Sequence, residues 1–255
     1  MQRIAFLHLE YLAGQVEYNR RLIEKGITKA VEAGAQWIIT PECAVSGYFF
    51  LAEIGTEWIE PQPDPWMEKM LVLAQEKKIT IFLGCPERDA QTNLLYNSLF
   101  VLGPEGTIVA KHRKHRVVGR AEAWATAGSD LHPFQCGPIK VGLMICADSW
   151  HADKVAELKS KGAELLIVSA AWPPGPCGPG DCWEKRTEES GLPLWLCNQT
   201  GSQGPLDFTQ ADSVVAAGGK RLLEKSLPEG RILIFDWDLK SMNLLSESFQ
   251  VIKTN

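Results

Sequence analysis

Two spacings of apolar residues take turns along this chain. Residues 4–9 form a nearly unbroken apolar run, as expected of a buried strand, and Val16, Ile23, Ile27, Ala30 and Val31 then recur on one helical face until Gly34 ends the helix. The same reading predicts strands at 37–40, 79–84, 97–102, 107–110, 139–145, 165–169, 194–197, 213–217 and 232–237, and helices at 67–78, 151–161 and 182–190. Gly103-Pro104-Glu105-Gly106 lies between two of the strands and marks a hairpin. Crossovers mixed with hairpins predict a layered α/β domain in which helices cover mixed sheets. Nothing in the pattern marks a linker or repeat, so one domain is expected over residues 1–255, with a tail from about residue 240. The Pro/Gly-rich WPPGPCGPG, 172–180, has similar strands on both sides and reads as a long loop inside the domain, a candidate pocket wall.

Composition narrows the class of partner. The 255 residues are 45% hydrophobic and 22% charged, ordinary for a globular protein able to bury a sizeable core. A net charge of -5 does not favour nucleic acid or an anionic membrane, and a small-molecule partner is expected. The N-terminal run is interrupted by His8 and Glu10, unlike a signal peptide or membrane span, so a cytoplasmic protein is expected. Seven cysteines, most inside apolar runs, suit reduced thiols rather than a disulfide framework. Cys177 and Cys182 are spaced like a metal or redox pair, but no matching pair of His or Cys stands nearby; no metal and no cofactor are expected.

Three reactive side chains stand where strands give way to loops. Glu42 follows an apolar strand and a proline, Lys114 lies in the basic run AKHRKHR, and Cys146 ends the apolar run LMIC just before a helical stretch. Each has a plain alternative: a solvated turn glutamate, a charged strand face or anion patch, and a packed core thiol. At a strand-to-helix turn, however, a helix N-terminus can favour the thiolate.

Their order and surroundings are more specific than any one of them. PECAVSGY (41–48), the RK of HRKHR, GLMICADSW (142–150), GAELLIVSAAW (162–172) and CNQTG (197–201) before the DSVV strand together resemble the nitrilase superfamily of carbon–nitrogen hydrolases over nearly the whole chain. That resemblance implies an αββα sandwich in which Glu42 is general base, Lys114 stabilises an oxyanion and Cys146 is the nucleophile. It also implies a further glutamate, for which Glu122, ahead of Gly128, is the candidate. The implied chemistry is thiolate attack on an amide carbon, proton transfer through Glu42, an oxyanion held by Lys114 and the N–H after Cys146, and water-driven cleavage of a thioester. No histidine is needed, and His112, His115 and His151 read as ordinary polar residues.

The chain departs from its relatives at two places. Ala147 stands beside the nucleophile where many relatives carry an aromatic or larger polar side chain, and Arg116 follows the lysine motif where a histidine is common. Asp148 is read as an organiser of the turn through hydrogen bonds to backbone N–H groups. Tyr48, Ala147, Trp150 and Trp172 are the candidate substrate-binding residues. The expected activity is a cysteine-dependent amidohydrolase acting with water on a small carboxamide, ω-amide or N-carbamoyl compound. Nitrile hydrolysis, acyl transfer to an amine and a non-catalytic scaffold are the alternatives; the lipid-transferring branch is disfavoured by the lack of membrane spans and a built-in glutaminase by the lack of a following synthetase domain. The resemblance also implies a homodimer or higher homo-oligomer, with the tail SMNLLSESFQVIKTN available to reach across the interface.

Overall fold

The computed structural model describes residues 1–176 and 178–254. Its first half runs β1 (Gln2–His8), α1 (Val16–Glu32), β2 (Trp37–Ile39), α2 (Leu51–Ile54), α3 (Pro65–Lys77), β3 (Thr80–Arg88), β4 (Leu95–Leu102) and β5 (Ile108–Arg113). A 3-10 turn at Arg120–Glu122 leads to β6 (Phe134–Cys136), β7 (Ile139–Ile145), a second 3-10 turn at Cys146–Trp150, α4 (Ala152–Ser160), β8 (Leu165–Ala170), α5 (Cys182–Ser190) and β9 (Leu194–Asn198). Seven more strands complete the chain: β10 (Ser202–Gln203), β11 (Leu206–Asp207), β12 (Ser213–Ala217), β13 (Lys220–Lys225), β14 (Arg231–Asp238), β15 (Asn243–Leu244) and β16 (Gln250–Lys253).

These strands make two main sheets. The first has the order β15-β14-β1-β2-β3-β4-β5 with β16 also against β14, and the second β13-β12-β9-β8-β7-β6. The centre of each is parallel, β1-β2-β3 and β7-β8-β9, and the flanks are antiparallel. Strands buried on both faces need no polar alternation, which is why they read as continuous apolar runs. Trp195 of β9 meets Trp37 of β2 and Phe235 of β14 at ring-centroid distances of 6.0 and 5.3 Å, so the inner faces of the two sheets pack together. On the outer face of the first sheet, Ala5, Leu7, Ile38 and Ile81 bury against Ile23 and Ile27 of α1 and Met67 and Met70 of α3. Helices α4 and α5 cover the second sheet through Val155, Leu158 and Trp183. Two helical layers around two sheets are the expected αββα sandwich.

Besides the short helix α2 and the separate β10-β11 pair, the elements missed in the sequence lie at the sheet edges. β13, with the pattern KRLLEK, has too many charges to read as a strand, as suits an edge. Lys253, Ile252, Val251 and Gln250 pair with Arg231 to Ile234, and Phe249 is buried against Phe6 and Phe235, so the tail completes the sheet of its own chain. The six described cysteines are free and buried; Cys177, half of the spacing noted above, lies outside the described residues. Among the described residues no helix is long and apolar enough to cross a membrane, and no group of three or more His, Cys, Asp or Glu is placed to hold a metal ion.

Candidate active site

Glu42 is carried out of the end of β2 on a tightly held turn. The Thr40 hydroxyl donates to the Phe82 carbonyl (3.1 Å) and accepts from the Gly84 N–H (2.9 Å), pinning the turn to β3. A Cβ on Gly84 would stand 2.1 Å from the Pro41 carbonyl oxygen, so only glycine permits this approach. Cys43 follows in the left-handed region at φ 50°, which turns the chain so that Glu42 faces inward, fully buried. One carboxylate oxygen of Glu42 accepts from Lys114 Nζ (2.6 Å) and Asn97 Nδ2 (2.7 Å), and the other from the Ala171 N–H (3.0 Å).

Lys114 is one step beyond β5, and the alternation of a strand sorts the basic run around it. Lys111 and Arg113 turn to one side and pair with Glu87, while His112 and Lys114 turn inward. The run is therefore neither a solvated face nor an anion patch. Gly128 donates its N–H to the Lys114 carbonyl (2.8 Å), at a spot where a Cβ would collide with the backbone of Arg113. The Lys114 ammonium lies between Glu42 and Glu122, donating to both. Glu122 also accepts from the Tyr48 hydroxyl (2.8 Å) and from the Val118 N–H (2.9 Å).

Cys146 follows the end of β7 and opens the second 3-10 turn in the left-handed region at φ 46°, a conformation costing a non-glycine residue roughly 1–2 kcal/mol and common where function dictates geometry. Asp148 holds that turn. Its carboxylate accepts from the Ile145 N–H (3.0 Å) and, from the segment carrying Lys114, the N–H groups of His115 (3.1 Å) and Arg116 (2.9 Å) and the His112 ring (2.8 Å). The turn of the thiol and the exit of the lysine strand are thus tied by one carboxylate, and His112, read as an ordinary polar residue, is a buried part of that tie. The Cys146 sulfur lies 4.0 Å from the Ala171 carbonyl. Ala147 stands in the first turn of the 3-10 helix, where backbone N–H groups have no acceptor within the helix.

Electrically, Glu42, Lys114, Glu122 and Cys146 act on one another. Burial pushes Glu42 up to about 7; Lys114 opposes the rise and Glu122 adds to it. Burial also works against the Lys114 ammonium, yet Glu42, Cys146 and Glu122 together hold it above the ordinary lysine value. The Cys146 thiol is pushed up by burial and by Glu42, with Lys114 pulling the other way. At rest the site therefore holds a protonated thiol, an ammonium and a carboxyl group poised near neutrality.

A cavity of about 670 Å³ opens onto Cys146. Tyr48, Ala147, Trp150 and Trp172 all line it, with Pro173 and Pro176 from the long loop and Arg116 toward the outside. Trp150 is 52% exposed while Trp172 is buried, their rings 5.7 Å apart, so the pair runs from the mouth inward. Cys146 and the four candidate binding residues thus share one space, and Glu42, Lys114 and Glu122 are buried beside it, joined to its wall through Tyr48. Asn97, Asn198 and His112 were missed. A polar residue inside an apolar strand, as in LYNSLFVL, was the available signal for Asn97.

The chain matches the carbon-nitrogen hydrolase family over residues 3–245. It is 26% identical over 249 residues to a probable nitrilase of Schizosaccharomyces pombe, covering 92% of this chain and 88% of that protein. To the omega-amidase NIT2 of Mus musculus it is 26% identical over 247 residues, 89% of this chain and 85% of the other. Among solved structures, a glutamate-to-glutamine mutant of the amidase from Nesterenkonia sp. AN1, with acrylamide added to its active-site cysteine, superposes with a TM-score of 0.82 at 24% identity over 93% of this chain and 94% of that one.

Proposed function

The chain belongs to the carbon-nitrogen hydrolase family, hydrolases of carbon–nitrogen bonds other than peptide bonds, and we propose that it is a cysteine-dependent amidohydrolase releasing ammonia or an amine from a small carboxamide, ω-amide or N-carbamoyl compound. The observation that carries this reading is the buried Glu42–Lys114 pair, 2.6 Å apart, in electrical contact with a thiol at the floor of a cavity.

In this mechanism Glu42 takes the thiol proton as Cys146 sulfur bonds to the substrate carbonyl carbon. Lys114 and the Ala147 N–H receive the negative charge on the carbonyl oxygen, each donor worth about 3 kcal/mol in comparable sites. The carbon–nitrogen bond then breaks, Glu42 returns its proton to the leaving nitrogen, and a thioester remains. Glu42 next deprotonates water, whose oxygen attacks the thioester; the acid leaves and the proton returns to sulfur. A carboxyl group near 7 suits both directions of transfer. Glu122 keeps Lys114 in place and Tyr48 keeps Glu122 in place.

The cavity lining supports a preference within the class. Its walls are largely apolar, and Arg116 brings a positive charge without an acidic residue among the described lining. An acyl group with an apolar body and an anionic far end fits that distribution, amide inward and carboxylate toward Arg116. The likeness to the mouse omega-amidase favours amides over nitriles. We further propose that the protein acts in the cytoplasm as one domain over 1–255 and associates as a homodimer or higher homo-oligomer, the tail from about residue 240 contributing through its sheet edge.

The test offers primary amides, ω-amides, N-carbamoyl amino acids and nitriles, and measures ammonia. Wild-type protein is expected to turn over an amide, most readily an anionic one, and Cys146→Ala to lose at least about a thousandfold of that rate. Equal traces from the two proteins on every substrate would end the reading.

A further inference from the structure

We infer that Asn198 is a positioning residue of this site: its carboxamide stands in for the strand that β8 loses beyond Ala170, holding residues 171 and 172 extended so that Ala171 serves Glu42 and Cys146 together. The inference rests on the roles proposed above for Glu42 and Cys146.

β8 and β9 run parallel in register as far as Ala170 opposite Asn198. There the backbone of β9 turns away, and the Thr200 N–H donates to Leu9 beside β1 in the other sheet (3.1 Å). β9 thereby leaves a gap beside the buried extension of β8, a place where unpaired peptide groups are costly. The Asn198 side chain fills it. Its Oδ1 accepts from the Trp172 N–H (3.1 Å) and its Nδ2 donates to the Trp172 carbonyl (3.0 Å), the pair of bonds a neighbouring strand would make. Its remaining capacity is taken by the Gln199 N–H (3.1 Å) and the Asp212 carbonyl (3.2 Å), so a fully buried amide is fully satisfied. The backbone is anchored in turn: the Asn198 N–H donates to the Ser213 hydroxyl (2.9 Å), which meets His8 Nδ1 (3.0 Å).

What the clamp fixes is the peptide between 171 and 172. That unit carries the Trp172 N–H, gripped by Asn198, and the Ala171 carbonyl, which faces the sulfur at 4.0 Å. Turning it would reverse the dipole presented to the thiol and disturb the Ala171 N–H that donates to Glu42 (3.0 Å). Glu42 is also faced by Lys114, Asn97, Glu122, Cys43, Tyr48 and Cys146, none of which Asn198 touches. Loosening the clamp removes one donor to the charged carboxylate and makes Glu42 easier to protonate.

Alkylation of Cys146 by iodoacetamide reads this without knowledge of the natural substrate. Rates are measured by intact mass and peptide mapping from about pH 5 to about pH 9, spanning the Glu42 titration, for wild type, Glu42→Gln, Asn198→Ala and Ser213→Ala. Wild type is expected to rise through a midpoint near the Glu42 value of about 7. Asn198→Ala should move that midpoint upward by roughly half to one unit and lower the rate at neutral pH by about two- to fivefold. Ser213→Ala, which frees the backbone anchor of Asn198 and the His8 ring but leaves the carboxamide clamp in place, should move it the same way by less. A folded Asn198→Ala with a uniform loss of rate and an unmoved midpoint reports a merely structural residue and overturns the assignment. If Asn198→Ala does not fold, a Ser213→Ala profile superposing on wild type overturns it instead. A Glu42→Gln profile identical to wild type overturns the underlying roles of Glu42 and Cys146; a changed Glu42→Gln profile beside an unmoved Asn198→Ala overturns the role of Asn198 alone.

Discussion

Two buried glutamates lie on either side of the same strand, and they behave in opposite ways. Glu87 faces β5 from β3 and receives Lys111 (2.6 Å), Arg113 (2.5 Å) and Ser98 (2.6 Å); burial works against its charge, but these donors hold it below the ordinary value. Glu42 meets β5 at its end and receives Lys114, Asn97 and the Ala171 N–H, yet burial carries it up to about 7. Neither lacks hydrogen bonds. The difference is stoichiometry: at Glu87 two cations meet two acids, because Arg113 also pairs with Asp89, whereas the single Lys114 is shared between two acids, and Glu42 is the more deeply enclosed. One strand therefore supplies a structural ion cluster with Lys111 and Arg113, and one residue later the cation of the proposed active site.

Removing the poised acid should have the largest effect. Glu42→Gln is expected to lower kcat/KM on the preferred amide by about 10²- to 10⁴-fold and to abolish the acid limb of its pH profile. Its stability should move the other way. Because the folded Glu42 value is above the ordinary 4.5, the folded state holds a proton that the unfolded chain releases, and the contribution of Glu42 to wild-type stability falls as pH rises from 4.5 to about 7. Calorimetry should find Glu42→Gln gaining on wild type across that interval; a gap independent of pH would mean that Glu42 is an ordinary ion-pair partner like Glu87.

Altering the stoichiometry is the sharper, smaller change. Glu122→Gln removes the second acid, whose charge helps to raise Glu42. The acid limb of kcat/KM should move down by roughly half to one unit, with a loss at the pH optimum of about tenfold or less as Lys114 is held less firmly. An acid limb that moved up would show that Glu122 serves Glu42 chiefly through the lysine.

Much of this was legible from order along the chain. Glu42, Lys114 and Cys146 each stand where an apolar run ends, so their placement needed only the strand boundaries, and continuous apolar runs pointed to a doubly covered sheet. Residues that act across the sheets were harder. Asn97 and Asn198 show in the sequence only as polar residues in or at the end of apolar strands; that one grips Glu42 and the other the backbone of Trp172 depends on register between strands far apart in the chain. His112 sits in a run dominated by charge, and its burial follows from an alternation that the word "basic" conceals. The last strand, QVIK, is too short and too polar to announce itself, and it forms because β14 has an open edge.

The smallest effect on chemistry belongs to Glu87. Glu87→Gln leaves Arg113 with Asp89 and the Tyr96 ring, and Lys111 near the surface, so β5 stays in place but loses its central acid. The folded value of Glu87 is below 4.5, so its contribution is present above 4.5 and disappears as pH falls through the depressed value. Near neutral pH the substitution should cost about 2–3 kcal/mol, or about 4–12 °C in Tm for a chain of this size, and the difference from wild type should shrink as pH drops below 4.5. Activity should keep its acid limb near 7, because the ammonium that faces Glu42 belongs to Lys114. A Glu87→Gln enzyme whose limb moved by as much as that of Glu122→Gln would show the two clusters to be one electrostatic unit, with the strand between them transmitting charge.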